Sequence, residues 1–310
     1  MSKITTAINL LKHNRGEFIA SILMHLNFLF PDKLYLSLLF RFKMGYWMDW
    51  KNPKTFTEKL QWLKLYNRRP KYTTMVDKYA VKQYVSKLIG EEYIIPTLGI
   101  WTRVEEIDWE SLPNQFVLKT THGGGSGGVV ICKNKTDLDK IGASKKLQHS
   151  LNSDIYRNYR EWPYKNVPKR IIAEKYMKES ISQSEDSELA DYKFYCFNGT
   201  PTYCQVIRDR NTNETIDFYD MEWNHMPFVG LNPVIGNGLN PVKKPLLLNK
   251  MIEICHTLSI NIPFSRIDLY VIDEKVYFGE ITFFPASGIG TFTPTEWNYK
   301  LGKMIELPTK

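Results

Sequence analysis

Residues 119–130 read KTTHGGGSGGVV, and five of the six positions from 123 to 128 are glycine. Glycine loses more backbone freedom on folding than any other residue. So dense a run therefore marks a place where bare backbone is needed. The flanks FVLK (116–119) and VVICK (129–133) are strand-like, so the run joins strand to strand. Gly123, Gly125 and Gly128 satisfy G-x-G-x-x-G, but a dinucleotide-binding turn must lead from a strand into a helix. A P-loop ends in Gly-Lys-Ser/Thr, whereas Gly128 is followed by Val129. Gly123 to Val130 also fit the kinase flap pattern, but no H-R-D or D-F-G follows, and the kinase lysine comes after its flap. Here Lys119 comes before it. Two readings remain: a plain surface hairpin loop, or a flap whose N–H groups reach anionic oxygens that no Cβ blocks. In the second, Lys119 ends the entering strand where it can neutralise phosphate charge.

The rest of the chain alternates helix and hairpin signals. In TFTEKLQWLKLY, Thr55 and Glu58 have capping-box spacing, with Phe56, Leu60 and Leu63 at helical period. DKYAVKQYVSKLIG repeats that period at Val81, Tyr84, Val85 and Leu88, with Gly90 as a stop. TDLDKIGASKKLQHSL is expected to be a helix capped by Thr136 and Asp139, and RIIAEKYM (170–177) a short strand. SISQSEDSELA (180–190) reads as a mobile loop. DYKFYCFNGTPTYCQVIRDR is a hairpin turning at Asn198-Gly199. Residues 211–245 read as loop-rich. PLLLNKMIEICHTLSI is a helix with Leu247, Met251, Ile254 and Leu258 on one face, and SRIDLYVIDEKVYFGEITFFPASG is a closing hairpin. The fold class is α+β, divided into a helical segment (1–75), a lobe with the glycine flap (76–178) and a C-terminal lobe (179–310).

Register decides what the hairpins carry, because side chains alternate with period two. A two-residue turn at 273–274 puts Asp268 and Glu280 on opposite faces. A three-residue loop, Asp273-Glu274-Lys275, sets Asp268 opposite Glu280 and Arg266 opposite Thr282. The two Cβ atoms then lie ~5 Å apart. Bare carboxylates that close repel unless a cation joins them, and Mg²⁺ takes one or two carboxylates plus phosphate oxygens. An exposed acidic pair is the plainer alternative. In the middle hairpin, a two- or four-residue loop around Asn198-Gly199 places Asp191, Lys193 and Arg208 on one face, two cations suited to a phosphate in transfer.

Composition narrows the classes. Net charge is +8 without basic blocks. That suits phosphate-rich ligands or an anionic membrane surface equally, and no nucleic-acid module signature appears. Cys132, Cys196, Cys204 and Cys255 form no CxxC and read as buried thiols, while the histidines lack metal-ligand spacing. The apolar run 18–40 is broken by Pro31-Asp32-Lys33, and neither half reaches the ~20 residues that span a bilayer. With no signal peptide in view, the expected location is the cytoplasm, with docking of segment 18–50 on the inner membrane face left open.

FVLK, the glycine loop, IIAEKYM, DYKFYCFNG…R and RIDLY…GEITFFPASG, in that order, resemble the ATP-grasp superfamily. More narrowly, roughly residues 30–300 resemble the TupA-like (teichuronopeptide-type) ATP-grasp proteins of bacterial surface-polysaccharide synthesis, often labelled glycosyltransferases. The resemblance implies two α+β lobes closing on ATP and Mg²⁺. It implies that Lys119 holds the α/β-phosphates under the flap Gly123, Gly124, Gly125, Ser126, Gly127 and Gly128. Glu174, Lys175 and Met177 would line the hinge beside adenine and ribose. Lys193 would be the second phosphate lysine, Arg208 would face the γ-phosphate or acyl phosphate, and Arg266 would join them in catalysis. Asp268, Glu280 and Thr282 would hold the metal, with Lys78 a further candidate. Thr282 departs from the usual Asn of the E-x-N motif, and a helical segment replaces the usual Rossmann-like N-terminal lobe. The implied reaction joins a carboxylate, such as a uronic acid of a saccharide, to an amine. A nucleotide-sugar glycosyltransferase is the alternative, with Asp137-Leu138-Asp139 as its D-x-D.

Overall fold

A computed structural model describes residues 15–178, 189–208, 213–231 and 235–309. Most of the 180–190 loop lies outside the described residues. Helices α1 (Arg15–His25) and α2 (Asp32–Met44) pack through Ala20, Leu23, Tyr35 and Leu39. Helix α3 (Phe56–Tyr66) opens with the expected capping box: Thr55 Oγ1 accepts from the Glu58 N–H at 3.2 Å, and Glu58 Oε2 accepts from the Thr55 N–H at 3.0 Å. Next come α4 (Lys71–Val76) and α5 (Ala80–Ile89), which Gly90 ends at φ +116°.

Strands β1 (Thr97–Trp101), β2 (Phe116–Thr120), β3 (Val129–Cys132) and β4 (Ile171–Lys175) form an antiparallel sheet in the order β1-β4-β2-β3. Helix α6 (Lys140–Leu151) packs Ala143 and Leu147 into the same core as Phe116, Leu118, Val130 and Cys132, and the short α7 (Ile155–Tyr159) follows. A second antiparallel sheet contains β5 (Asp191–Phe197), β6 (Thr200–Arg208), β7 (Thr215–Tyr219), β9 (Phe264–Ile272) and β10 (Lys275–Thr282), in the order β10-β9-β5-β6-β7. The small pair β8 (Val229–Gly230) and β11 (Phe292–Thr293) lies apart from it, and α8 (Leu248–Ser259) and α9 (Glu296–Met304) complete the chain.

Within the loop-rich stretch 211–245 lies β7, a five-residue edge strand set among turn residues. Helix α9 was hidden for a different reason. Gly302 interrupts its helical pattern, and a Cβ there would stand 2.2 Å from the Lys54 carbonyl. The glycine lets α9 approach the start of α3. All four cysteines are buried free thiols. Among the described residues no helix is long and apolar enough to cross a membrane.

The large core of the five-stranded sheet takes Phe56, Leu60 and Leu63 from α3, Val81 and Val85 from α5, and Met251, Ile254 and Leu258 from α8. Residues that precede the flap sheet in the chain thus pack with the sheet that follows it. Lys64 of α3 is buried in this contact. Its ammonium donates to Gln61 Oε1 at 3.0 Å and to the carbonyls of Tyr159 and Ser287 at 2.8 Å. Gln61 Nε2 donates to the Gly288 carbonyl at 2.8 Å. These bonds hold a turn in which Ala286, Ser287 and Gly288 all have positive φ, at +46°, +52° and +64°. Non-glycine residues there are costly unless the surroundings fix them. Burial pulls the Lys64 pKa down to about 8 against the opposing pull of Glu161. Lys64→Met removes the donor to the Tyr159 carbonyl, one of two donors to the Ser287 carbonyl, and the countercharge of Glu161. Urea unfolding should show a loss of about 3–5 kcal/mol; a loss within the scatter of surface substitutions would remove Lys64 from this role.

Candidate active site

The C-terminal hairpin reaches the expected pairing by an unexpected route. Asp273 and Glu274, with φ +48° and +56°, form a two-residue turn, and Lys275 pairs with Ile272. The expected three-residue loop is therefore corrected. Alone, this turn would separate the carboxylates. A β-bulge between Phe278 and Glu280 inserts one residue, after which Glu280 pairs with Asp268 and Thr282 with Arg266. Gly279 is the inserted residue, and a Cβ on it would come within 2.9 Å of the Tyr270 ring and 3.0 Å of the Asp268 carbonyl. A glycine inside a strand is the sequence sign of a bulge.

A bulge has the opposite effect in the middle hairpin. The Asn198-Gly199 turn is present, but the register shifts between Tyr195 and Cys196, with Thr202 as the extra residue. Lys193 now pairs with Gln205 and Asp191 with Ile207, so Arg208 falls on the other face. The expected one-face set of Asp191, Lys193 and Arg208 is corrected to Asp191 and Lys193 alone. Arg208 donates to Asp217 at 3.1 Å and to the Asn240 carbonyl at 2.9 Å, and His225 Nε2 lies 2.9 Å from the other Asp217 oxygen.

Strand β5 pairs with β9 so that Lys193 lies opposite Asp268. A cluster of alternating charge results. Lys193 bonds Asp268 and also Asp191, the latter at 2.7 Å. Arg266 forks onto both Asp268 oxygens at 2.7 Å and reaches Glu280 at 3.1 Å and Thr282 Oγ1 at 3.2 Å. Burial raises the Asp268 pKa despite Arg266 and Lys193. Burial also pushes Glu280 up, but Lys78, Arg266, Lys193 and Lys119 overcome it and hold this carboxyl down to about 2. Glu280 is therefore an anion at neutral pH.

Lys78 joins this cluster to the glycine flap. Its ammonium donates to the Gly123 carbonyl and lies 3.6 Å from Glu280, while its backbone N–H donates to Thr121 O at 3.0 Å. Burial lowers its pKa, with Glu280 pulling the other way. On the flap sheet, Val117 pairs with Glu174, and Lys119 pairs with Ile172 on the same face. Glu174 is buried and bridges Lys119 at 2.5 Å and Lys82 at 2.6 Å. Glu174 is thus placed to orient two lysines. Lys82 was missed in the sequence, although it lies one helical turn beyond Lys78. Lys175 is exposed at the end of β4, and Met177 is half-buried just beyond.

The flap glycines serve two purposes. A Cβ on Gly128 would meet Ser150 Oγ at 2.1 Å, and one on Gly123 would meet Thr120 Oγ1 at 2.4 Å. Thr120 and Ser150 share a buried hydrogen bond of 2.7 Å, so these two glycines let the loop close on its base. Gly125 (φ +66°) and Gly127 face open space, whereas a Cβ on Gly124 would stand 3.3 Å from Ile155 Cδ1. There the bare backbone is available to an approaching ligand. His122, buried beneath the flap, makes no hydrogen bond of normal geometry, and burial followed by Lys169 lowers its pKa.

The donor set Asp268, Glu280 and Thr282 consists of hard oxygens on adjacent strands, as Mg²⁺ prefers. Among the described residues no group of three His, Cys, Asp or Glu could cage a metal unaided. The residues fit an ion that draws its remaining ligands from a nucleotide. The Asp137-Leu138-Asp139 motif does not fit a metal role: Asp137 accepts from Asn134 Nδ2 at 2.7 Å, and Asp139 caps α6 by accepting from the Gly142 N–H at 2.9 Å.

A glycine loop between two strands, paired lysines and a carboxylate strand pair on two antiparallel sheets are features of the ATP-grasp fold. The family model described as TupA-like ATPgrasp matches residues 58–306, and the chain belongs to that family. No curated protein matches it. Similar solved structures include D-alanine–D-alanine ligase from Bacillus anthracis complexed with ATP (16% identity, TM-score 0.42, covering 75% of this chain and 63% of that one). The D-alanine–D-alanine ligase of Helicobacter pylori (15%, TM-score 0.39, 81% and 69%) is another. A third is the ATP-grasp ligase PsnB with a precursor variant, Mg and ADP (8%, TM-score 0.38, 81% and 63%). The chain thus spans a little under two thirds of the first of these, at 63% of its length.

Two outcomes follow from the hairpin geometry. Gly279→Val must displace the Tyr270 ring or the Asp268 backbone and should lower stability by about 1–3 kcal/mol in urea unfolding. The depressed Glu280 pKa contributes stability that is present above pH 4.5 and lost as pH falls from there towards about 2. Urea midpoints followed through that window should fall less steeply in Glu280→Gln than in the parent.

Proposed function

We propose that the protein is an ATP-dependent carboxylate–amine ligase acting through an acyl phosphate. One observation carries the reading: Lys78 touches both the flap carbonyl of Gly123 and the carboxylate of Glu280. Flap and carboxylate are 157 positions apart in the chain, by 280 minus 123, and a ligand gripped by both is held at two ends by one structure. The substrate carboxylate attacks the γ-phosphorus of ATP, ADP leaves, and an amine then displaces phosphate from the acyl phosphate to leave an amide. Such a site supplies orientation and charge neutralisation.

The chain's own groups divide that work. Lys119 and Lys82, aligned by Glu174, present ammonium groups to the phosphates on the flap side. The open backbone of Gly125 and Gly127 covers them and excludes water. Lys193 and Arg266 neutralise negative charge beside Asp268 and Glu280. Mg²⁺, when bound by Asp268, Glu280 and Thr282, would offset the charge of the phosphate oxygens. Arg208, on the opposite sheet face and held by Asp217, is not assigned to the transferred phosphate. The substrates we propose are a uronic acid of a capsule, O-antigen or cell-wall saccharide and an amino acid or other amine, in the cytoplasm. The support is the likeness of the motif set to proteins of surface-polysaccharide synthesis.

Purified protein with Mg²⁺, ATP, hexuronic acids and amino acids should release ADP only when both a carboxylate and an amine are present. Glu280→Gln should lower that rate at least roughly 100-fold with unchanged circular dichroism. Release of UDP from a UDP-sugar, with thermal stabilisation by UDP-sugar and none by ATP, would replace the ligase with a glycosyltransferase.

A further inference from the structure

Large apolar side chains are unevenly distributed over the surface. Seventeen are exposed among the described residues, and eight of them fall between residues 19 and 47: Ile19, Ile22, Leu26, Phe28, Leu29, Leu34, Tyr46 and Trp47. Ile19, Ile22 and Leu26 have helical spacing and form one stripe on α1. That stripe adjoins Ala20 and Leu23, which α2 already covers. The apolar arc of α1 is therefore wider than its partner helix can bury. Phe28 and Leu29 sit together in the turn between the two helices, 73% and 61% exposed. Consecutive residues of this kind at the tip of a helical hairpin form a protruding wedge, and a patch of this kind marks an interaction surface.

The charges along the hairpin and just after it select its occupant. Arg15, Lys33, Lys51 and Lys54 are exposed. The nearby acids are mostly committed: Glu17 pairs with Lys43, and Asp32 pairs with Arg68 at 2.6 Å and Arg160 at 2.9 Å. Asp49 is the one exposed acid among the described residues from 15 to 55. Residues 1–14 add Lys3 and Lys12 and no acid. Two copies meeting through this surface would bring cations against cations. An anionic bilayer would neutralise them while the wedge enters the acyl boundary, with Tyr46 and Trp47 of a type suited to the headgroup level.

We propose that the α1–α2 hairpin is a peripheral membrane anchor for anionic lipid, led by Phe28 and Leu29, with Lys33 beside them and the other exposed cations of the segment adding attraction. This does not rest on the ligase reading. The full-length protein should co-sediment with vesicles of phosphatidylcholine plus phosphatidylglycerol, and much less with phosphatidylcholine alone. Raised salt should weaken the binding. Phe28→Ser/Leu29→Ser should reduce the bound fraction at least roughly tenfold with an unchanged thermal melt, since neither side chain is in a core. Lys33→Glu, which keeps the wedge, should weaken binding to the anionic vesicles only. Failure of the parent protein to co-sediment at low salt would overturn the proposal. So would equal binding by the double serine variant, or a dimer in light scattering that this variant dissolves, which would assign the face to a second copy.

Discussion

Asp268 keeps Arg266 and Lys193 as ion-pair partners inside a five-stranded sheet, and they oppose the rise in its pKa that burial imposes. An isolated buried carboxylate would take up a proton. The arrangement of the site follows from that requirement. Arg266 must stand two residues before Asp268 on β9 so that its fork meets both oxygens, and Lys193 must lie opposite on β5. Each cation then has capacity left over, which reaches Asp191 on one side and Glu280 and Thr282 on the other. The result is a continuous chain of opposite charges across three strands. It ends at Lys78, where it meets the flap.

Such a chain is costly as a device for stability, because desolvation consumes much of the Coulomb gain. It is better understood as a holding pattern. Under the proposed ligase reading the cations stand in the places where phosphate charge would arrive, and the carboxylates keep them there. Glu174 does the same for Lys119 and Lys82 on the other sheet. Both lobes thus present pre-oriented ammonium groups, and little reorganisation is left for the ligand to impose.

Much of this was legible in the sequence. The strand–glycine–strand order, the α3 capping box and the Asn198-Gly199 turn are local signals, and local chemistry determines them. The positions of Asp268, Glu280 and Lys193 on shared faces were legible only up to parity. Each hairpin carries one extra residue that no turn rule announces. At Gly279 the bulge brings the carboxylates together, and at Thr202 it turns Arg208 away. Glycine gave some warning of the first, whereas Thr202, a good strand former, gave none of the second. Helix α9 and the alignment of Lys82 with Glu174 depended on contacts between distant segments, which periodicity does not report.

The packing of α3 carries a consequence for where this protein can be divided. The family match starts at residue 58, inside α3 and beyond the Thr55 cap. Yet Phe56 lies at the centre of an aromatic group with Tyr195, Phe197, Phe264 and Phe292, and Thr57 exchanges hydrogen bonds with Asn298 across the molecule. The segment before the recognisable motifs is therefore a structural keystone of the lobe that follows the flap. A cut made ahead of α3 spares this packing, whereas one at residue 58 would remove Phe56 and Thr57 from the sheet whose carboxylates α3 helps to hold in place.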